Sequence, residues 1–106
     1  MIYAIGVNHH TAPVTVRECV HLTDEEINAF LNDNLGVLFN EAAMVSTCNR
    51  TELYFVPSHD EVDGASLISR LRELRPDRKV DDRHFFRLFS CGAVSHLFKV
   101  ASAVDS

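Results

Sequence analysis

The chain has 106 residues, 46% hydrophobic and 24% charged, which suits one domain with a packed core and excludes wholesale disorder. Fifteen acidic against ten basic residues give a net charge of −5, which disfavours broad, non-specific binding to a phosphate backbone. No apolar run reaches the roughly 18 residues of a membrane span, and three cysteines at wide, irregular spacing argue against a disulfide framework and for a reducing, cytoplasmic setting.

Ile2 to Val7 is apolar on both alternating faces, the pattern of a strand buried on two sides, and Met1 to Val7 lacks the basic start and small-residue cleavage site of an export signal. Asn8 to Pro13 reads as a polar loop shaped by Asn8 and Thr11, with the side chains of His9 and His10 pointing apart in an extended backbone. Pro13 suits the start of a short helix through Cys19 and Leu22. Thr23-Asp24-Glu25-Glu26 is a capping box, and it predicts a helix whose core stripe is Ile27, Phe30, Leu31 and Leu35.

Ala42 to Val45 and Glu52 to Val56 are strand-like, and the short polar stretch Ser46 to Thr51 between them predicts an antiparallel hairpin. A helix from about Asp60 to Leu74 follows, with Leu67, Ile68, Leu71 and Leu74 inward, and Pro76 stops it. Basic side chains crowd this region: Arg70, Arg72, Arg75, Arg78, Lys79, Arg83 and Arg87. They read as a solvated face, with a local nucleic-acid contact as the functional alternative. Phe85 to Phe89 is the last strand. Ser90 then caps a final helix with Val94, Leu97, Phe98 and Ala101 inward.

The order β-α-β-β-α-β plus a helix predicts an α+β domain of the ferredoxin-like, split β-α-β kind: an antiparallel sheet with two helices on one face. The last helix runs to Ser106 without a C-cap glycine, asparagine or stopping proline, so the chain is expected to be one catalytic domain, residues 1–106, of a longer protein.

The most informative segment is Ser46-Thr47-Cys48-Asn49-Arg50-Thr51-Glu52. Unpaired cysteine is usually buried as a small hydrophobe, yet a hairpin tip is exposed. Here a threonine hydroxyl, an asparagine amide, turn N–H groups and a guanidinium flank it, surroundings that favour a thiolate. A small apolar side chain tucked under the hairpin is the bland alternative, and Thr47 and Asn49 also favour turns for local reasons. On the final helix, His96 lies roughly 150° from the centre of the apolar stripe, and Ser106, ten residues on, returns to within about 80° of the face that carries His96. No CxxC or HxxxH pair accompanies the histidines, and no metal site is expected.

Ser46 to Glu52 resembles the signature of glutamyl-tRNA reductases. Gly6-Val7-Asn8-His9-His10-Thr11-Ala12-Pro13-Val14, followed by Arg17-Glu18, resembles that family's opening motif. Ala93 to Ser106 resembles its A-V-x-H-L-F-R-V-A-S-G-L-D-S helix. Two departures stand out: His10 where a basic residue is common, and Ala103 where glycine is usual.

The resemblance implies a reaction. Family members reduce the activated carboxyl of glutamyl-tRNA(Glu) to glutamate-1-semialdehyde with NADPH, the first step of tetrapyrrole (porphyrin) biosynthesis. It implies Cys48 as the nucleophile that forms a thioester and His96 as a second catalytic residue, with Thr47, Asn49, Arg50 and Ser106 as substrate contacts. Arg50 would grip the side-chain carboxylate of the substrate in a two-pronged pair. No GxGxxG occurs in the chain, so NADPH would be bound by a domain outside it, and this fragment would not reduce glutamyl-tRNA alone. Also implied are a homodimer of the full-length protein, an aminotransferase partner that receives the semialdehyde, and, as a lesser expectation, haem as a regulator held by a cysteine or histidine. Two other classes compete: a non-catalytic regulatory or RNA-binding module, and another thiol enzyme. The first needs exposed aromatics, whereas Phe85, Phe86 and Phe89 lie in runs that read as buried. The second needs a resolving cysteine near Cys48, and the sequence has none.

Overall fold

In the computed structural model, residues 2–75 and 80–89 are described. Strand β1 (Tyr3–Val7) leads through a polar loop into α1 (Val14–Cys19) and α2 (Asp24–Asn34). The hairpin β2 (Phe39–Ser46) and β3 (Thr51–Pro57) follows, then α3 (Gly64–Glu73), a 3-10 turn (Asp82–His84) and β4 (Phe86–Phe89). The sheet order is β2-β3-β1-β4, with every neighbouring pair antiparallel. This is a small α+β domain, and the expected final helix lies outside the described residues.

Each element has a local cause. The capping box forms as read: Glu26 N–H donates to the Thr23 hydroxyl at 3.2 Å, and Thr23 N–H donates to the Glu26 carboxylate at 3.0 Å. Asp63 caps α3 by accepting from the Ser66 N–H at 3.1 Å, which holds its carboxyl below the ordinary value. The helix therefore starts at Gly64, and residues 60–63 form the turn before it, later than the sequence predicts.

Ile5, Val7, Leu53 and Phe55 from the sheet pack against Phe30 of α2, Leu67, Ile68 and Leu71 of α3, and Val16 of α1. Ile27 and Leu31 flank this core half-buried. Leu35 does not join them and is 55% exposed. The backbone leaves the helix at Leu35, and Gly36, with φ of 80°, reverses the chain, so Phe39 fills the core instead. Phe89 is a second correction, at 62% exposed. It sits on the edge strand beyond the start of α3, whose first residue packs over Ile5 and Arg87. Phe85 is buried as expected, and Phe86 and Leu88 pack on Ala4 and Tyr54 across the other face of the sheet.

Candidate active site

The hairpin strands end in the register pair Ser46↔Thr51, leaving residues 47–50 as the tip. Thr47 N–H donates to the Arg50 carbonyl at 2.7 Å and closes the turn. Asn49 N–H donates to the Thr47 hydroxyl at 3.2 Å, so Thr47 has the local turn role open to it from sequence. Thr47, Cys48 and Asn49 are all exposed. The thiol thus sits in solvent on a turn closed by its own backbone, not under the sheet.

Arg50 behaves differently. Polarity alone suggests a group open to a ligand, but its side chain is only 4% exposed and its Nη1 lies 3.2 Å from Oε2 of Glu52, which is fully buried. The Tyr54 hydroxyl donates to the other carboxylate oxygen of Glu52 at 3.0 Å. Glu52 and Tyr54 share one face of β3, opposite the helices, and Arg50, just before the strand, meets Glu52 on that face. Their spacing of two was the sequence signal for this row. Its neighbour on β1 is Gly6, paired with Glu52. A Cβ on Gly6 would collide with the Thr51 carbonyl oxygen and come within 2.9 Å of Glu52 Cα. Only glycine lets the two strands meet there.

On the helix-facing side, the hairpin base is tied to the α1–α2 connection. Leu22 N–H donates to the Ser46 hydroxyl at 2.9 Å, the Ser46 and Thr51 hydroxyls are 2.7 Å apart, and Thr51 donates to the Val20 carbonyl at 3.1 Å. No sequence pattern marks this link.

β1 ends at Val7, paired with Thr51, so the loop after it lies beside the tip. Asn8 organises that loop: its side chain accepts from His10 N–H at 2.9 Å, and its carbonyl accepts from Thr11 and Ala12 N–H. The turn overturns the expectation that His9 and His10 point apart. Their rings lie 3.9 Å centroid to centroid, because the backbone there is coiled, not extended. Among the described residues no group of three or more His, Cys, Asp or Glu is placed to hold a metal. His96 and Ser106 lie outside the described residues.

Three of the five described basic residues in this cluster pair with acids. Arg75 grips Glu26, Arg83 lies 3.2 Å from Asp81, and Arg87 binds Asp82 at 2.7 Å. Arg72 donates to the Val80 carbonyl, and Arg78 and Lys79 lie outside the described residues. Such pairing favours the solvated-face reading over a phosphate-binding stripe.

A family profile described as "Glutamyl-tRNAGlu reductase, N-terminal domain" matches residues 5–106. The chain is 47% identical to a glutamyl-tRNA reductase of Chlorobium limicola and 45% identical to one of Chloroherpeton thalassium, in each case over 99% of this chain. It spans 25% and 24% of those relatives' lengths. The solved glutamyl-tRNA reductase from Methanopyrus kandleri superimposes with a TM-score of 0.71 at 25% identity, covering 99% of this chain and 23% of that one. With a profile match over nearly its whole length and relatives this similar, the chain belongs to the glutamyl-tRNA reductase N-terminal domain family.

Proposed function

We propose that this chain carries the acylating step of a glutamyl-tRNA reductase, with Cys48 as the nucleophile, at the entry to tetrapyrrole biosynthesis. The observation that carries the reading is an exposed cysteine on a closed hairpin turn, within the stretch most similar to the family signature. The Cys48 thiolate attacks the ester carbonyl of glutamyl-tRNA. A carbon–sulfur bond forms, the carbon–oxygen bond to the ribose breaks, and the departing tRNA oxygen takes a proton. A glutamyl thioester remains. It is more electrophilic than the oxygen ester it replaces, because sulfur donates less electron density to the carbonyl.

Arg50 is assigned the side-chain carboxylate of the substrate. Its support is the family resemblance and its position next to the tip; the guanidinium itself is buried against Glu52. Asn49 and Thr47 shape the turn that presents the thiol. His96 is assigned to polarising or protonating the carbonyl and Ser106 to holding substrate, both on the family resemblance.

NADPH would supply the hydride that follows. The described residues do not fit it: the sheet is antiparallel throughout, and no glycine-rich turn joins a strand to a helix in the way a dinucleotide site requires. We place its binding in the three quarters of the relatives' length that this chain does not span. The sheet order, with helices linking strands that are not neighbours, supports the ferredoxin-like reading of the scaffold. No helix among the described residues is long and apolar enough to cross a membrane.

The test is chemical. Labelled glutamyl-tRNA should leave a label on the chain that hydroxylamine releases. Cys48→Ser should abolish it, while Cys19→Ser and Cys91→Ser should retain it. Full labelling of the Cys48 variant would remove the mechanism. Production of semialdehyde by this chain and NADPH alone would remove the assignment of reduction to another domain.

A further inference from the structure

Resting on the acyl-transfer reading, we infer that Ser46 and Thr51 form a hydroxyl latch that positions the Cys48 sulfur for attack. The chain of bonds has one possible direction. Leu22 N–H can only donate and the Val20 carbonyl can only accept. Ser46 must therefore donate to Thr51, and Thr51 to Val20. Each hydroxyl gives one hydrogen bond and takes one, and the central 2.7 Å contact sits at the ordinary optimum for O–H···O.

The location gives the latch its purpose. Ser46 closes β2 and Thr51 opens β3, so the two hydroxyls mark the last paired rung before the tip. A hairpin end bonded only along its ladder can hinge as the sheet twists. Here that rung is tied to backbone 24 and 31 residues away in sequence, between α1 and α2. Thr51 is 3% exposed, which keeps competing water away from its hydroxyl. The opposite face of β3 is held independently by Glu52 and Tyr54. The base of the turn that carries the nucleophile is thereby fixed from both sides of the sheet.

Nucleophilic attack is sensitive to such fixing, since a misplacement of about 1 Å can cost on the order of 100-fold in rate. Alkylation by a small reagent has no comparable demand. Neither Ser46 nor Thr51 touches substrate in this account, and both act through the placement of Cys48.

The experiment compares Thr51→Val, which keeps shape and removes the hydroxyl, with Thr51→Ser, which keeps the hydroxyl, in the intact protein. Three readouts are taken: acyl transfer from glutamyl-tRNA to Cys48, alkylation of Cys48 by iodoacetamide, and amide hydrogen exchange at residues 47–50. Thr51→Val is expected to slow acyl transfer by about 10- to 100-fold, with alkylation within about twofold of wild type and faster exchange at the tip. Thr51→Ser should restore acyl transfer to within about threefold. Wild-type acyl transfer and exchange in Thr51→Val would overturn the latch. So would a parallel loss of acyl transfer and alkylation that Thr51→Ser fails to rescue, because the residues would then serve the fold alone. If wild-type protein takes no acyl group while Thr51→Val still loosens the tip, the acyl-transfer reading fails and the anchoring of the tip stands.

Discussion

Among the described residues, the pairs Arg75–Glu26 and Arg50–Glu52 brace the domain, and their geometry ranks them in the wrong order. Arg75 grips Glu26 with two bonds, at 2.7 and 2.9 Å, and also donates to the Leu74 and His21 carbonyls. Arg50 meets Glu52 at 3.2 Å. Yet the first pair is 27% and 31% exposed, whereas the second is 4% and 0% exposed. Water and salt screen the well-formed outer pair, so it contributes little. The inner pair has surrendered its hydration, and the loss of one member would leave the other charge in a dry setting. Burial, more than distance, sets what each is worth.

That comparison can be broken at several points. Glu52→Ala should destabilise the fold by about 3–5 kcal/mol in urea unfolding, because it removes a fully buried carboxylate to which both the Arg50 guanidinium and the Tyr54 hydroxyl are bonded. A loss no larger than that from cutting the Arg75 pair would defeat the burial argument. Gly6→Ala comes next, at about 1–3 kcal/mol, since the new methyl pushes β1 away from the Thr51–Glu52 backbone. It should also lower the Tm without changing any charge, separating steric from electrostatic support of the same face.

Glu26→Gln should have the smallest effect and a distinct pH signature. The Arg75 hydrogen bond, followed by the Thr23 backbone N–H, lowers the Glu26 carboxyl from 4.5 to about 2. A folded value below the unfolded one means the stabilisation is complete above pH 4.5 and fades as the pH falls towards 2. Wild type should exceed Glu26→Gln by about 1 kcal/mol or less at pH 6. The gap should close in acid and shrink in high salt. A gap that widens in acid would reverse the assigned sign.

Much of the scaffold is legible in the sequence because short-range chemistry dictates it. The Thr23–Glu26 box, the Leu67–Ile68–Leu71 stripe and the hairpin around Cys48 each follow from spacing within a few residues. The misses share a different cause. Leu35 is exposed because one glycine ends the helix a residue before the periodicity does. Phe89 is exposed because edge position is a property of strand order, which no local window contains. His9 and His10 come together because Asn8 coils a loop that reads as extended. In the candidate site the exposed thiol was readable, whereas the inward turn of Arg50 and the Ser46–Thr51 bonds depend on partners brought in by the fold.

The central place of β1 has a consequence for how the molecule is made. β1 pairs on both sides, with β3 and with β4, and both are synthesised after it. Until the chain has emerged past Phe89, the apolar ribbon from Tyr3 to Val7 has an open edge, the condition that invites mispairing with another nascent chain. Such long-range closure also slows folding. Polypeptides released before β4 should accordingly appear as aggregates and not as a weakly active domain.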